Sequence, residues 1–195
     1  MKIGSVVLAS ALLLGLGAAR ADVVRHPIPN SNFPIAQSVE VPGNATTYYV
    51  SGQVPPLVNK DADPATPYAY GDTKTQTVAV LNKIKGILEG LGLGMGDVVK
   101  MQVFFVNNAV TPMDFKAFME GYTQFFGGSQ PNLPARSVIG VAALANPGFL
   151  VEIEVRQVRA TPTRPLGKND LRSCCCRADL PDGGSRCRFI CEFAR

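Results

Sequence analysis

The stretch NLPARSVIGVAALANPGFLVEIEV, residues 132–155, decides how this chain is expected to fold. Two apolar runs flank the turn-forming Ala-Asn-Pro-Gly at positions 145–148, a pattern that predicts two strands in a hairpin. Arg136 opens the first strand, and Glu152 and Glu154 lie inside the second. Charged side chains in apolar strands need a partner or a function, because an unpaired buried charge is costly. These three residues are the first candidates for a functional site.

The beginning of the chain differs in pattern from its middle. Residues 1–21 combine Lys2 with an apolar segment and a small-residue cleavage motif at positions 19–21, which is typical of a signal peptide. The alternative is a transmembrane anchor, but the apolar run is short for a membrane span. We therefore expect an exported, periplasmic protein whose mature chain begins at Asp22, with no membrane attachment after cleavage.

Residues 161–195 contain all five cysteines, Cys174, Cys175, Cys176, Cys187 and Cys191. An odd count with three in a row does not fit a disulfide framework, and the last two are weak evidence for a metal site. We expect this Cys- and Arg-containing tail to be disordered or non-native, appended to a finished domain at residues 22–160. A functional tail is the alternative.

The charge distribution argues against a nucleic-acid partner. The whole chain has a net charge of +4, but residues 22–160 contain ten basic and eleven acidic residues. A nearly neutral domain lacks the electrostatic footprint of a protein that binds RNA or DNA. His26, the only histidine, lies in an N-terminal segment that is expected to be extended, and it is not a candidate catalyst.

Two amphipathic segments predict the helices of the domain. Apolar residues at three- and four-residue steps indicate helices over residues 73–93, with Asp72 or Thr73 as the cap, and over residues 112–126, with Thr111 as the cap. The aromatic and methionine stripe of the second helix is interpreted as core.

The remaining segments predict strands and one long loop. The run at residues 46–52 indicates a strand, and the proline-rich residues 53–72 indicate a loop without regular structure. Residues 98–106 are apolar on both faces and predict a central strand. Two helices cover only one face of such a sheet, so we expect oligomerisation through the other face.

The motifs in this order resemble those of the Rid family, the reactive intermediate deaminases also called YjgF. The similarity spans about residues 33–158. It is carried by Ser-Gly-Gln-Val-Pro at 51–55, Asp-Val-Val-Lys at 97–100, Tyr-Thr-Gln-Phe-Phe at 122–126, Pro-Ala-Arg-Ser at 134–137 and Val-Glu-Ile-Glu at 151–154. The resemblance implies an α+β, chorismate-mutase-like fold, in which a mixed β-sheet carries two helices packed on one face. It also implies a homotrimer with active sites in clefts between subunits.

The resemblance further implies hydrolytic deamination of small enamine or imine acids to keto acids and ammonia, by a hydrolase acting on C=N bonds without metal or organic cofactor. Arg136 would grip the substrate carboxylate with its planar fork of donors. Glu152 would order the attacking water and take its proton, whereas Glu154 is assigned a structural role. The substrate-binding residues would be Ser51, Gly52, Ile35, Met119 and Val138.

Two positions depart from the pattern of the family's deaminases. Ile35 and Met119 stand where a tyrosine and an asparagine are usual, so the cleft is expected to be more apolar. Two alternatives therefore stay open. One is a non-catalytic small carboxylate-ligand binder of the same fold, anchored by Arg136. The other is an endoribonuclease or translation inhibitor, the family's older description, which the neutral domain and the export signal disfavour.

Overall fold

The computed structural model describes residues 22–160, so the predicted signal peptide and the cysteine-containing tail lie outside the described residues. The strands are β1 (Val24–Pro27), β2 (Ala36–Glu40), β3 (Ala45–Gln53), β4 (Val98–Val106), β5 (Ala135–Val141) and β6 (Val151–Ala160). The helices are α1 (Thr73–Gly90) and α2 (Phe115–Tyr122), with short 3-10 turns at Pro67–Ala69 and Met95–Asp97. Within this part of the chain, no helix is long and apolar enough to cross a membrane.

The strands form one mixed sheet in the order β1-β2-β5-β4-β6-β3. The predicted hairpin at residues 132–155 is wrong, because β5 and β6 do not pair with each other. Both pair with β4, β5 in parallel and β6 antiparallel. The strand at residues 98–106 is apolar on both faces and takes the central position that its sequence predicts, which separates the two strands that follow it.

The connection between β5 and β6 is held by a buried glutamine of α1. The side chain of Gln76 is fully buried, and its amide nitrogen donates hydrogen bonds to the carbonyl oxygens of Gly71 (2.9 Å) and Gly148 (3.0 Å). Its amide oxygen accepts a hydrogen bond from the backbone N–H of Leu150 (2.8 Å). Gln76 therefore satisfies backbone groups that the turn leaves without a sheet partner.

The first helix begins where the sequence predicts. The carboxylate of Asp72 accepts a hydrogen bond from the backbone N–H of Thr75 (2.8 Å), which satisfies one of the free donors at the start of α1. The helix ends at Gly90, earlier than the predicted residue 93. Gly92 adopts a φ of 68°, a left-handed conformation that ends helices and that glycine takes without steric cost.

The second helix is shorter than the predicted range of residues 112–126. Its cap is Asp114, whose carboxylate accepts a hydrogen bond from the backbone N–H of Ala117 (2.9 Å). The predicted cap, Thr111, is wrong, because its own backbone N–H donates to the side chain of Asn108 (2.8 Å) in the preceding turn. This side-chain acceptor competes with helix formation before residue 114.

The N-terminal segment and the proline-rich loop contain more regular structure than expected. β1 pairs with β2, and β2 joins the sheet through the pair Ala36 and Ala135. Arg25 fastens this edge by donating a hydrogen bond to the carbonyl oxygen of Gly96 (2.7 Å). In the loop, Pro67–Ala69 forms a 3-10 turn, because proline is suited to the first position of a helical turn.

Both helices pack on one face of the sheet, as predicted. The core between them contains buried side chains from α1, α2 and the central strands, among them Val80, Leu81, Ile84, Leu88, Met101, Val103, Phe105, Phe118, Tyr122 and Ile153. Within residues 22–160, no helix covers the opposite face of the sheet. That open face carries Glu152, Glu154 and Arg156, and it leaves Tyr49 and Ile139 exposed.

Candidate active site

Arg136 lies on the helix-covered face of the sheet, against α2. Its partner in the register of β4 is Met101, which is fully buried beneath the helices. Its guanidinium contacts four residues of α2, which are Phe115, Phe118, Met119 and Tyr122. These residues are spaced as i, i+3, i+4 and i+7. This spacing places side chains on one side of a helix, so α2 forms a continuous wall over Arg136.

The guanidinium of Arg136 is enclosed by aromatic rings. Its central carbon lies 4.2 Å from the ring centroid of Tyr122, 5.0 Å from that of Phe118, 5.4 Å from that of Phe33 and 5.9 Å from that of Phe115. These distances lie within the range of cation–π attraction, which offsets part of the cost of burying the cation.

The hydrogen bonding of Arg136 is incomplete. One terminal nitrogen, Nη2, lies 3.4 Å from the sulfur of Met119, which is a weak acceptor. The other, Nη1, is buried and has no hydrogen-bond partner among the described residues. No carboxylate of residues 22–160 forms an ion pair with this arginine. The arrangement is suited to a bound anion, which would satisfy the unpaired nitrogen.

The electrostatics favour a charged arginine beside a neutral phenol. Burial lowers the pKa of Arg136, and the nearby Tyr122 phenol acts in the opposite direction. Burial also raises the pKa of Tyr122 well above its usual range, although the positive charge of Arg136 opposes this shift. Because arginine starts from a very high pKa, Arg136 stays protonated near neutral pH.

Tyr122 also positions the segment that precedes β2. Its hydroxyl donates a hydrogen bond to the carbonyl oxygen of Pro34 (2.8 Å), and Phe33 lies next to this anchor with its ring over Arg136. The sequence pointed to Ile35 as the lining residue of this segment, whereas the ring seen against the guanidinium belongs to Phe33. Phe33 lies two positions before Ile35, and its aromatic side chain was the signal in the sequence that could have identified it as a lining residue.

The predicted site residues divide into two groups separated by the sheet. Arg136 pairs with Met101 in β4, whereas Glu152 pairs with Phe104 in the same strand. Since side chains alternate between faces, positions 101 and 104 point to opposite sides, and so do Arg136 and Glu152. Val138 and Met119 belong to the group of Arg136, so one chain alone does not bring the two predicted catalytic residues together.

The second group forms around Glu152 on the open face. The register of β3 is interrupted by a bulge between Val50 and Gln53. Within this bulge, an added Cβ on Gly52 would collide with the carboxylate of Glu152, so that carboxylate lies directly over the glycine backbone. Ser51 is exposed beside it. The structure therefore brings together Ser51, Gly52 and Glu152, three of the residues that the sequence assigned to the site.

A polar patch occupies the middle of the open face. The ammonium of Lys100 donates a hydrogen bond to the hydroxyl of Ser137 (2.8 Å), and Gln102, Glu154 and Arg156 lie in the same depression with Lys100. The alternation of polar residues along β4 and β6 is the signal in the sequence from which this patch could have been predicted. Glu154 lies in this patch, on the same face of the sheet as Glu152.

The described residues offer no ready metal site. Within residues 22–160, no group of three or more His, Cys, Asp or Glu side chains is placed to hold a metal ion. His26 lies on β1 with its Nε2 atom 3.8 Å from the carboxylate of Glu40, and both side chains are largely exposed.

Comparison with known proteins gives a consistent result. Residues 30–158 match the family described as Endoribonuclease L-PSP. A RutC family protein of Pyrococcus abyssi is 34% identical over 137 residues, which cover 70% of this chain and 94% of that protein. A Salmonella typhimurium protein named 2-iminobutanoate/2-iminopropanoate deaminase is 33% identical over 126 residues, which cover 65% of this chain and 88% of that protein.

A solved structure agrees with the fold. The structure of YyfB from Yersinia pestis, described as a Rid family protein of unknown function, is similar with a TM-score of 0.52 at 27% identity, and the match covers 70% of this chain and 96% of YyfB. The mixed sheet with two helices on one face thus defines an α+β protein of the Rid class. More specifically, the chain belongs to the Endoribonuclease L-PSP (Rid/YjgF) family, which confirms the resemblance inferred from its motifs.

Proposed function

We propose that this protein hydrolyses small enamine or imine acids to keto acids and ammonia. The observation that carries the proposal is the guanidinium of Arg136, which is enclosed by aromatic rings and has a buried nitrogen without a partner. A substrate carboxylate would supply the missing acceptor, and such a charge-assisted hydrogen bond contributes about 1.5–3 kcal/mol. The relative named as an imine deaminase supports the same chemistry.

The reaction assigns one role to each of two side chains. Arg136 binds the carboxylate and so fixes the position of the C=N carbon. Glu152 takes a proton from water as the water oxygen forms a bond to that carbon, and the proton is returned to the nitrogen. A second proton then passes from the new hydroxyl group to the nitrogen, the C–N bond breaks, and ammonia leaves while the hydroxyl oxygen becomes the keto oxygen. The imine carbon is already electrophilic, so no stronger nucleophile is needed.

The proposal includes an oligomer, a homotrimer, with sites between subunits. Arg136 and Glu152 lie on opposite faces of one sheet, so a site that uses both takes one residue from each of two chains. The open face supports association, because it leaves Tyr49 73% exposed and Ile139 40% exposed. Burying such apolar surface against another copy is a common reason for assembly.

The test follows imine decay in the presence of the full chain. Imines would be generated in solution by an amino-acid oxidase, and decay would be compared for the wild-type protein, Arg136→Ala and Arg159→Ala. Arg159 is a matched control, because it also lies over a tyrosine ring but donates to the carbonyl oxygens of Leu91 and Gly92. We expect acceleration that Arg136→Ala loses and Arg159→Ala keeps. No acceleration of any imine would contradict the proposal.

The two carboxylates provide a second matched pair. Glu152→Gln keeps the shape of the side chain but cannot take a proton, so the rate should fall by about 100-fold or more. Glu154→Gln changes a carboxylate in the polar patch that has no assigned role in the reaction, so a much smaller loss is expected. Equal losses in the two variants would contradict the role of Glu152.

A non-catalytic carboxylate binder is the second candidate. The observation that favours it is the separation of Arg136 from Glu152 within one chain, which leaves the anion anchor without its base. Carboxylate binding that depends on Arg136, together with no imine hydrolysis, would support this candidate. An endoribonuclease, the activity in the family's name, is disfavoured by the nearly neutral charge of residues 22–160.

Export to the periplasm is proposed as well. Its support is the sequence pattern of residues 1–21, which lie outside the described part of the structure. Determining the N-terminal residue of the protein recovered from cells would test it, and a start at Asp22 is the expected result.

A further inference from the structure

We infer that the site at Arg136 selects acids that carry a bulky apolar or aromatic side chain. The inference rests on the proposed function, because it names the substrate class of the same site. It starts from the side chains seen in contact with the guanidinium, which are four aromatic rings and one thioether.

The aromatic enclosure has a closed half and an open half. Phe118 and Tyr122 are completely buried and form its floor. Phe33 and Phe115 are 39% and 37% exposed and form its rim. In a single chain, these two rings are the exposed part of the enclosure, so we expect the rest of a molecule whose carboxylate reaches Arg136 from solution to lie against them.

The two rim rings determine which ligand side chains can bind beside the carboxylate. A polar side chain placed against phenyl rings loses water without gaining a hydrogen-bond partner, which costs free energy. An apolar side chain gains roughly 0.8 kcal/mol per buried methylene group, which is about a fourfold change in affinity. Met113 is also 36% exposed and lies two residues before Phe115, so it extends the apolar surface.

Met119 provides room for the ligand carboxylate. Its sulfur is the acceptor nearest to Nη2 of Arg136, at 3.4 Å, and a carboxylate is a far stronger acceptor than a thioether. Methionine has three rotatable bonds and repacks easily. We therefore expect Met119 to move aside when a carboxylate binds to Nη2.

The experiment measures the binding of unreactive acids to the full chain by calorimetry. Acetate reports the arginine anchor alone, whereas 3-phenylpropanoate reports the anchor and the rim together. We expect 3-phenylpropanoate to bind at least about tenfold more tightly than acetate. Phe33→Ser should reduce this ratio severalfold, while Phe33→Leu, which keeps an apolar side chain, should preserve most of it. Leu91→Ala, at an exposed apolar residue capping α1, serves as the control and should leave the ratio unchanged.

The outcomes separate the two proposals. Equal affinity for the two acids, lost in Arg136→Gln, would overturn the apolar preference and leave the anchor of the proposed function intact. A ratio that is unchanged in Phe33→Ser would overturn the role of the rim. If neither acid binds, Arg136 is not a carboxylate anchor, and this result would also contradict the proposed function. In the reaction itself, the imine of phenylalanine should be hydrolysed with a higher kcat/KM than that of alanine.

Discussion

Gly52 lies directly beneath the carboxylate of Glu152, so closely that a side chain at position 52 would displace that carboxylate. Gly52 lies within the β3 bulge, where the register between β3 and β6 is interrupted. A bulge of this kind re-aims neighbouring side chains, and bulges often occur beside active sites. The orientation of Glu152 therefore depends on a residue with no functional group of its own.

Gly52→Ala should lower imine hydrolysis by about tenfold or more, because the added methyl group displaces the Glu152 carboxylate and small misplacements are costly in catalysis. Gly43→Ala is the matched control, since an added Cβ there meets no atom within 4 Å. The measurement is the rate of imine decay, together with urea unfolding of each variant. Full activity in Gly52→Ala would show that this contact does not position Glu152.

Mixed assemblies should recover activity that neither variant has alone. If Arg136 and Glu152 act across a subunit boundary, trimers formed from Arg136→Ala and Glu152→Gln chains will contain some intact sites. If equal amounts of the two chains mix at random, about one quarter of the sites will contain both the wild-type Arg136 and the wild-type Glu152. The measurement is imine decay after the two chains are produced together, with the molecular mass of the assembly determined by light scattering. Trimers without recovered activity would contradict a shared site.

Gln76→Ala should destabilise the protein by about 2–4 kcal/mol, because it leaves buried backbone groups of two turns without partners. Gln124→Ala should change the free energy of unfolding by less than about 0.5 kcal/mol, since Gln124 is exposed and bonds only to the Glu120 carbonyl within its own turn. Urea unfolding followed by circular dichroism measures both. A small loss in Gln76→Ala would indicate that the connection between β5 and β6 is held by other contacts.

Asp72 should make the stability of α1 depend on pH. The hydrogen bond from the backbone N–H of Thr75 holds the pKa of Asp72 below its ordinary value of 3.8. A lowered folded-state pKa means that the contribution is complete above the unfolded-state pKa and is lost as the pH falls through the folded-state pKa. At pH 7, Asp72→Ala should cost about 1 kcal/mol, as is usual for a lost helix cap.

The comparison for that effect is Asp72→Asn, which keeps a capping oxygen but does not titrate. From pH 5 to 8, the unfolding free energies of the wild type and Asp72→Asn should differ by a constant amount. Below about pH 4, the wild type should lose stability relative to Asp72→Asn, because its capping carboxylate becomes protonated. A difference that is constant down to pH 2 would contradict the assignment of the lowered pKa to this cap.

Local signals predicted the elements of this fold better than their arrangement. The central strand Val98–Val106 and the start of α1 could be read from apolar periodicity and one capping aspartate. The predicted hairpin was wrong because a turn sequence shows where the chain bends but not whether another strand lies between the two strands that flank the turn. β4 fills that space, and this pairing depends on contacts far apart in the sequence.

The candidate site shows the same limit. Arg136 and Glu152 could be selected as unusual charges in apolar strands, and their placement on opposite faces required the register of β4. Phe33 was missed because its contact with Arg136 depends on the hydrogen bond between Tyr122 and Pro34, which joins residues 88 positions apart. Neither the composition nor the periodicity of the N-terminal segment contains that information.

The position of β6 has a consequence for how the chain folds. The last strand of the domain lies between β4 and β3, and β3 pairs with no other strand in the described sheet. A growing chain that has not yet reached residue 151 can therefore pair β4 with β5, but β3 has no strand through which to join their sheet. The sheet is completed only after β6 has been synthesised, so a partly synthesised chain cannot reach the complete native state.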